Sequence, residues 1–314
     1  MNNNVKKSEI LFLYETSYNI PNGDPFTGEQ RYDEETKRIL VSDVRIKRFI
    51  RTFFEEKQLP VYVSEKTGAG KTDSKGVLKW IAENRNPNKL TNVAELLKEQ
   101  IDVRLFGGIS TLGDDAKKIK VDGTPMVNGH TQFTGPVQFA LLNPSLNEVN
   151  LRIHQNTTHF TSKGENTQGS IGTTSIVPYS LIQIHGWVNP RVAETTGMTD
   201  DDLKLMYQGM WCGTGGEGSS HSRTKVGQNS LLLLEFVYAN QEYKVYSLDR
   251  LIKIIPKEGK VSEQIRSIDD YEIDFSKLKE VANNSKIEKI RYYTETESIA
   301  TKFKDIPKFE AMSL

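Results

Sequence analysis

The chain has 314 residues, enough for one large domain or two ordinary ones, and its 41 Lys and Arg balance 41 Asp and Glu. Zero net charge argues against a protein that coats nucleic acid through bulk charge. A phosphate-binding role then needs a local basic patch set against acidic surface elsewhere. One cysteine, Cys212, leaves no internal disulfide and no cysteine-based zinc site. The start MNNNVKKSEI carries no apolar signal segment, and no run of about 18 apolar residues occurs. The expectation is a soluble cytoplasmic protein, in which the sequons at Asn156 and Asn283 carry no meaning.

Ser8 to Ser17 (SEILFLYETS) is short and rich in apolar and aromatic residues, which predicts a buried strand. It runs into NIPNGDPFTG, Asn19 to Gly28, a dense cluster of turn formers. Ser42 then predicts a helix N-cap with Asp43 in the first turn. Ile46, Phe49, Ile50 and Phe53 fall on one face of that helix, and Lys47, Arg48 and Arg51 on the other. The second face serves solvent or something anionic. From Lys37 to Arg51 there are six basic residues and one acid. Pro60 is expected to stop the helix.

Residues 60–125 read as a helical insertion with Lys-, Gly- and Asn-rich loops. Within it, Asn92 and Glu95 form a capping box, and Val93, Leu96, Leu97, Ile101 and Leu105 predict one helix ending at Gly107-Gly108. Thr131 to Leu142 and Val149 to His154 read as strands. The polar, Gly-rich excursion 155–175 follows, too long to be a simple connection. Ser175 to Val188 is another strand. Thr199 to Cys212 is a helix capped by Thr199 and Asp202, with Leu203, Met206, Tyr207, Met210 and Trp211 at helical spacing and Gly213 as its stop. Ser230 to Ala239 (SLLLLEFVYA) is apolar enough for a central strand. The fold class is therefore α+β, in the βαββαβ order of ferredoxin-like and RNA-recognition folds, with two insertions. Residues 240–314 read as a strand-rich extension with an acidic, less regular tail.

GAGKT at 68–72 lacks the leading glycine of a phosphate-binding loop, since Glu65 stands there, and reads as a flexible basic loop. Gly213, Gly215 and Gly218 match GxGxxG, but a helix precedes and a strand follows, the inverse of a dinucleotide site. These glycines serve either close backbone approach to phosphates or a plain loop. His130, His154, His159, His185 and His221 show no metal spacing. Asp24 and Asp33 are metal candidates or ordinary turn formers. Together with loops carrying Lys163, Arg223 and Lys225, the pattern suits single-stranded nucleic-acid backbone binding better than catalysis.

NIPNGDP (19–25), VSDVRIKRFIR (41–51), DVRLFGG (102–108), GPVQF (135–139), IVPYSL (176–181), HGWVNPRVAETTGMTDDDL (185–203) and SSHSR (219–223) lie in order along the chain. In these segments it resembles the Cas-seven family, the backbone subunits of type I CRISPR interference complexes, in the type I-B form. The resemblance implies a hand: a modified RNA-recognition palm, helical fingers at 60–125 and a β-hairpin-like thumb at 155–175. It implies a non-catalytic subunit that polymerises head to tail along the crRNA spacer and presents it to target DNA. The implied partners are crRNA, target DNA, further copies, and Cascade subunits of the Cas-five, Cas-six and large-subunit types, with no cofactor. Carried over, Ser42, Arg45, Lys47, Arg48 and Arg51 match the RNA-contacting helix start, and Asn22, Gly23 and Asp24 the loop beside it. Gln138 lies in the GPVQ strand, Lys163 and Gln168 are thumb positions, Phe160 or Ile171 is the wedge at a displaced nucleotide, and Arg223 lies in the glycine-rich region. Related type III backbone subunits cut RNA with an acidic loop residue and a metal, for which Asp24 or Asp33 stands as candidate.

Overall fold

The computed structural model describes residues 5–64, 73–157, 171–215 and 224–314. Strand β1 (Ser8–Asn19) is followed by β2 (Tyr32–Asp33), β3 (Arg38–Ser42) and helix α1 (Asp43–Glu56). Then come α2 (Ser74–Asn84), α3 (Val93–Lys98), α4 (Ile101–Phe106), β4 (Gly107–Thr111), β5 (Lys120–Val121), β6 (Thr124–Pro125) and β7 (His130–Thr134). The chain returns through β8 (Val137–Phe139), β9 (Leu142–Pro144), β10 (Arg152–Thr157), β11 (Ile171–Val188), α5 (Pro190–Thr196), α6 (Asp200–Gly215) and β12 (Gln228–Tyr238). It ends with β13 (Lys253–Pro256), β14 (Tyr271–Asp274), α7 (Ser276–Ala282), β15 (Ile287–Tyr293), α8 (Glu297–Phe303) and β16 (Phe309–Ala311). The mixed α+β class agrees with the sequence reading.

β1 lies at the centre of the main sheet, antiparallel to β11 on one side and β12 on the other. β8 and β10 pair with β11, β15 follows β12, and β16 joins β15 in parallel. β1 is apolar on both faces because both are covered. Ile10, Phe12 and Tyr14 pack under α1 and α6, while Leu11 and Leu13 pack against residues 245–303. Such a strand reads as an unbroken apolar run instead of an alternation. A third, smaller core joins Leu78, Ile81, Leu96, Val103 and Met126, with Phe133 against it.

Several sequence expectations change. α1 stops at Glu56, four residues before Pro60, where Gln58 enters the left-handed region at φ 58°. The single helix expected from Asn92 to Leu105 is two, because Gln100 is buried in extended backbone and its amide donates to the Leu96 carbonyl. The expected strand 131–142 breaks at Gly135-Pro136. There the backbone passes so close to Phe106 that a Cβ on Gly135 would lie 2.1 Å from its carbonyl carbon. Gly213 does not end α6, which continues to Gly215. It is a crossing point instead: a Cβ there would lie 2.6 Å from the Phe49 carbonyl oxygen of α1. The extension 240–314 carries two helices as well as strands, and its side chains form the second core.

Candidate nucleic-acid interface

The expected side-chain cap of α1 is not made: the Ser42 hydroxyl does not cap the helix. Instead the Asn22 Oδ1 accepts the Ser42 N–H at 2.6 Å, fastening the 19–31 loop to the helix start. Asn22 N–H donates to Gln30 Oε1 at 2.9 Å, and Gly23 bridges to Gln30. Asp24 accepts the Phe26 N–H at 2.9 Å, which with the Thr27 N–H and Arg31 holds its pKa below the ordinary carboxylate value. Arg31 lies 3.1 Å from it. Asp33 closes its own turn through the Thr36 hydroxyl at 2.7 Å. Both aspartates thus spend their oxygens on turn chemistry.

The polar face of α1 is not an open basic surface. Lys47 turns back to Asp43 at 2.8 Å. Arg51 donates from Nε to the fully buried Asp102 at 2.9 Å, and Asp102 also accepts the backbone N–H groups of Tyr62 and Val63 at 2.8 and 3.1 Å. The Arg51–Asp102 contact ties α1 to α4 and to Tyr62 and Val63, whereas the Lys47–Asp43 pair stays within α1. Contrary to the expectation from sequence, neither Lys47 nor Arg51 is openly exposed to solvent. Arg48 lines a cavity of about 370 Å³ with Tyr62, Ser74 and Ile109.

Arg45 behaves otherwise. Its guanidinium sits 3.9 Å from the Phe49 ring centre, and its Nε is buried without a hydrogen-bond partner. Burial lowers its pKa to about 10, against the attraction of Tyr14, whose own buried hydroxyl lacks a partner. Lys225 joins it from the segment before β12. That segment is held along the end of β1 by Ser17 N–H to the Gly227 carbonyl, Ile20 N–H to the Thr224 carbonyl, and Asn19 Nδ2 to the Val226 carbonyl. Gly227, at φ 89°, allows the close approach: a Cβ would stand 2.9 Å from the Ser17 carbonyl oxygen. The Lys225 ammonium donates to the Ile20 carbonyl. Burial first, then the nearby Arg45 charge, pull its pKa down to about 7. Among the described residues no carboxylate neutralises either cation. Tyr18, two residues before Ile20 in the chain, is 66 % exposed and strained at φ 49°. Two half-buried cations without an acid are a seat for an anion.

Gln138 lies elsewhere. It is exposed on β8, donates to the Gly135 carbonyl at 2.9 Å, and stands opposite Trp187. Trp187 is opposite Glu9, at the far end of β1 from Ile20. At about 3.3 Å per residue the eleven steps from Glu9 to Ile20, whose carbonyl Lys225 holds, span roughly 36 Å of strand. Phe160, Lys163, Gln168 and Arg223 lie outside the described residues. For the hairpin expected at 155–175, the described part is the pairing of Arg152–Thr157 with Ile171–Ile176. Sequence reasoning noticed Lys225 only as one loop cation and missed Tyr14, Tyr18 and Gln228, whose Oε1 is buried and unpartnered while its Nε2 holds the Lys225 carbonyl. The one available signal was a lysine flanking a strong strand with no acid between Glu217 and Glu235.

The chain is thus an α+β sheet protein in which Arg45 and Lys225 lie close together without a neutralising acid among the described residues. Residues 6–276 match the family described as CRISPR-associated protein Cas7. A CRISPR-associated protein Cas7 from Haloferax volcanii is 30% identical over 288 residues, covering 88% of this chain and 82% of that one. The chain belongs to this family. Its fold is similar to that of a chain of a CRISPR RNA-guided surveillance complex in a pre-nicking state. The TM-score is 0.55 at 12% identity, covering 98% of this chain and 96% of the other. A chain of a second CRISPR RNA-guided surveillance complex aligns at TM-score 0.52 and 12% identity, covering 97% and 94%.

Proposed function

We propose that the chain is the non-catalytic backbone subunit of a type I-B CRISPR interference complex, binding crRNA through its sugar–phosphate backbone and presenting the spacer to target DNA. Copies assemble head to tail along the RNA beside the other Cascade subunits. Family membership supports this reading, and the seat formed by Arg45 and Lys225 is the observation that carries it. A guide of arbitrary sequence has to be held by its backbone, not its base edges. Half-buried, unneutralised cations accept a phosphate of any nucleotide, and exposed Tyr18 offers a ring on which any base can stack.

Within this reading the strand order β12–β1–β11–β8, with α1 and α6 on one face, is a palm of RNA-recognition type. Residues 60–125 serve as fingers and 155–175 as thumb, and Phe160, Lys163, Gln168 and Arg223 contact RNA. Asn22, Gly23, Asp24 and Ser42 shape the seat's rim. Arg51 anchors the fingers through Asp102, and Lys47 pairs with Asp43 within α1. The open sheet face used by ordinary RNA-recognition domains is covered here by the C-terminal layer, which moves the RNA path to the α1 edge.

Co-expression of the chain with its neighbouring genes is expected to yield a ribonucleoprotein with RNA of defined length. Purified chain is expected to bind unrelated RNA sequences alike, and Arg45→Ala with Lys225→Ala to weaken them all equally. Loss for some sequences only contradicts backbone gripping. The endonuclease alternative predicts divalent-metal-dependent cleavage of a paired RNA target that Asp24→Asn abolishes.

A further inference from the structure

A groove of about 680 Å³ opens on the side of the sheet away from α1 and α6, between β9 and the C-terminal layer. β11 forms its floor. Ile182 and Ile184 point into the helix-side core, so Gln183 between them faces the groove. Gln183 is only 7% exposed. Its Nε2 donates to the Asp249 carbonyl at 2.6 Å, but its Oε1 has no donor. Arg38, Arg250 and Lys253 stand around the rim. The rim carboxylate Asp249 is 3.9 Å from Arg250, a loose pair with Arg250 largely exposed. Arg38 and Lys253 make no ion pair among the described residues, although Asp274 stands cross-strand from Lys253.

One wall is β13, which pairs with β14 alone. Lys257 N–H bonds to the Asp270 carbonyl, and in the register Ile254↔Ile273 the alternation then turns the N–H and C=O of Ile254 away from β14. Ile254 lines the groove, so this open strand edge faces it. Leu142 and Ile252 supply apolar lining.

We propose that the groove docks an extended, acidic polypeptide segment of a partner protein, added as a strand to the β13 edge. N–H groups on one side of such a strand meet the Ile254 carbonyl, and those on the other side face Gln183 Oε1. Its Asp or Glu side chains meet Arg38, Arg250 and Lys253. Phosphodiester groups of a nucleic acid match the cations, but a polynucleotide backbone has no row of N–H groups at strand spacing to pair with the β13 edge. The inference stands apart from the guide-RNA reading, since it uses no residue of the Arg45–Lys225 seat.

The test is fluorescence anisotropy of the full chain with a labelled octapeptide alternating Val and Glu. Saturable binding is expected, weakened roughly tenfold by Arg38→Glu with Lys253→Glu. A peptide with Lys in place of Glu is not expected to bind. Ile254→Pro, which removes the edge N–H, is expected to weaken binding too. The surface variant keeps the test valid should the proline variant fail to fold, and unchanged RNA binding by Arg38→Glu reports an intact chain. Binding that ignores these substitutions overturns the proposal. So does displacement by single-stranded RNA as effective as by unlabelled peptide, which marks a nucleic-acid seat. A change confined to sedimentation mass in Arg38→Glu also overturns it, marking a contact between copies.

Discussion

At Lys225 burial and the Arg45 charge together make a proton the measure of anion binding. The free ammonium has a pKa near 7, and a phosphate placed beside it raises that value. Above pH 7, RNA binding therefore takes up a proton, and affinity falls as pH rises from 7 toward the bound-state pKa. Below pH 7 the lysine is already charged and this dependence vanishes. Dissociation constants measured between pH 6 and 9 test the point: Lys225→Met is expected to bind weakly with no slope, and Lys225→Arg to keep binding without the slope. Stability of the RNA-free chain runs the opposite way. Between pH 7 and the ordinary lysine value of 10.5 the unfolded chain holds a proton that the folded chain lacks, so stability rises with pH across that window. Tyr18→Ala is expected to cost about 1–3 kcal/mol of RNA affinity, the usual size of one stacking contact, with folding unaffected at so exposed a site. None of this was visible at residue level in the sequence, where Lys225 was one cation among several in a glycine-rich stretch. Its meaning comes from what surrounds it and from the acids that do not.

Helices α1 and α6 show which part of an element its own residues specify. Apolar spacing located both, and Ile46, Phe49, Ile50, Met206 and Met210 are buried as that spacing requires. The Thr199–Asp202 capping box is formed in both directions, at 3.2 and 3.0 Å. Asp202 also receives a two-pronged bond from Arg104 of α4, which links α4 to α6. The crossing of the helices was not legible, because a glycine that stops a helix and one that admits a neighbour's backbone look alike in one dimension. Gly213→Ala is expected to destabilise by about 1–3 kcal/mol through overpacking against Phe49, read from the denaturant midpoint. The polar face of α1 misled in the same way. Asp102 lies 51 positions from Arg51, and only folding brings them together. Asp102→Ala leaves a nearly buried guanidinium unpaired and is expected to cost about 3–5 kcal/mol. Arg51→Ala is expected to lower stability more than it lowers RNA affinity, which chemical denaturation and anisotropy on one preparation distinguish.

For the whole molecule, zero net charge fits the proposed role because it does not have to be spread evenly: Lys47, Arg51 and Arg104 meet carboxylates, while Arg45 and Lys225 meet none among the described residues. RNA affinity is expected to fall with salt, the log–log slope dropping by about 0.7 for each phosphate contact removed, so by roughly 1.4 when Arg45 and Lys225 are both replaced. The C-terminal layer is the other molecular-scale feature. Leu11, Leu13, Leu232, Leu234 and Phe236 owe their burial to it, and a chain cut after Ala239 is expected to aggregate, as light scattering would report. The sequence by itself determined the central strands, the two long helices, the α+β order and the segments that carry the family resemblance, since periodicity, capping and turn chemistry act over a few neighbouring residues. Only the tertiary structure decided which cations are neutralised, which glycine is a crossing point and which sheet face is closed. Those depend on atoms brought together from distant parts of the chain, and charge pairing and desolvation are set by distance in space.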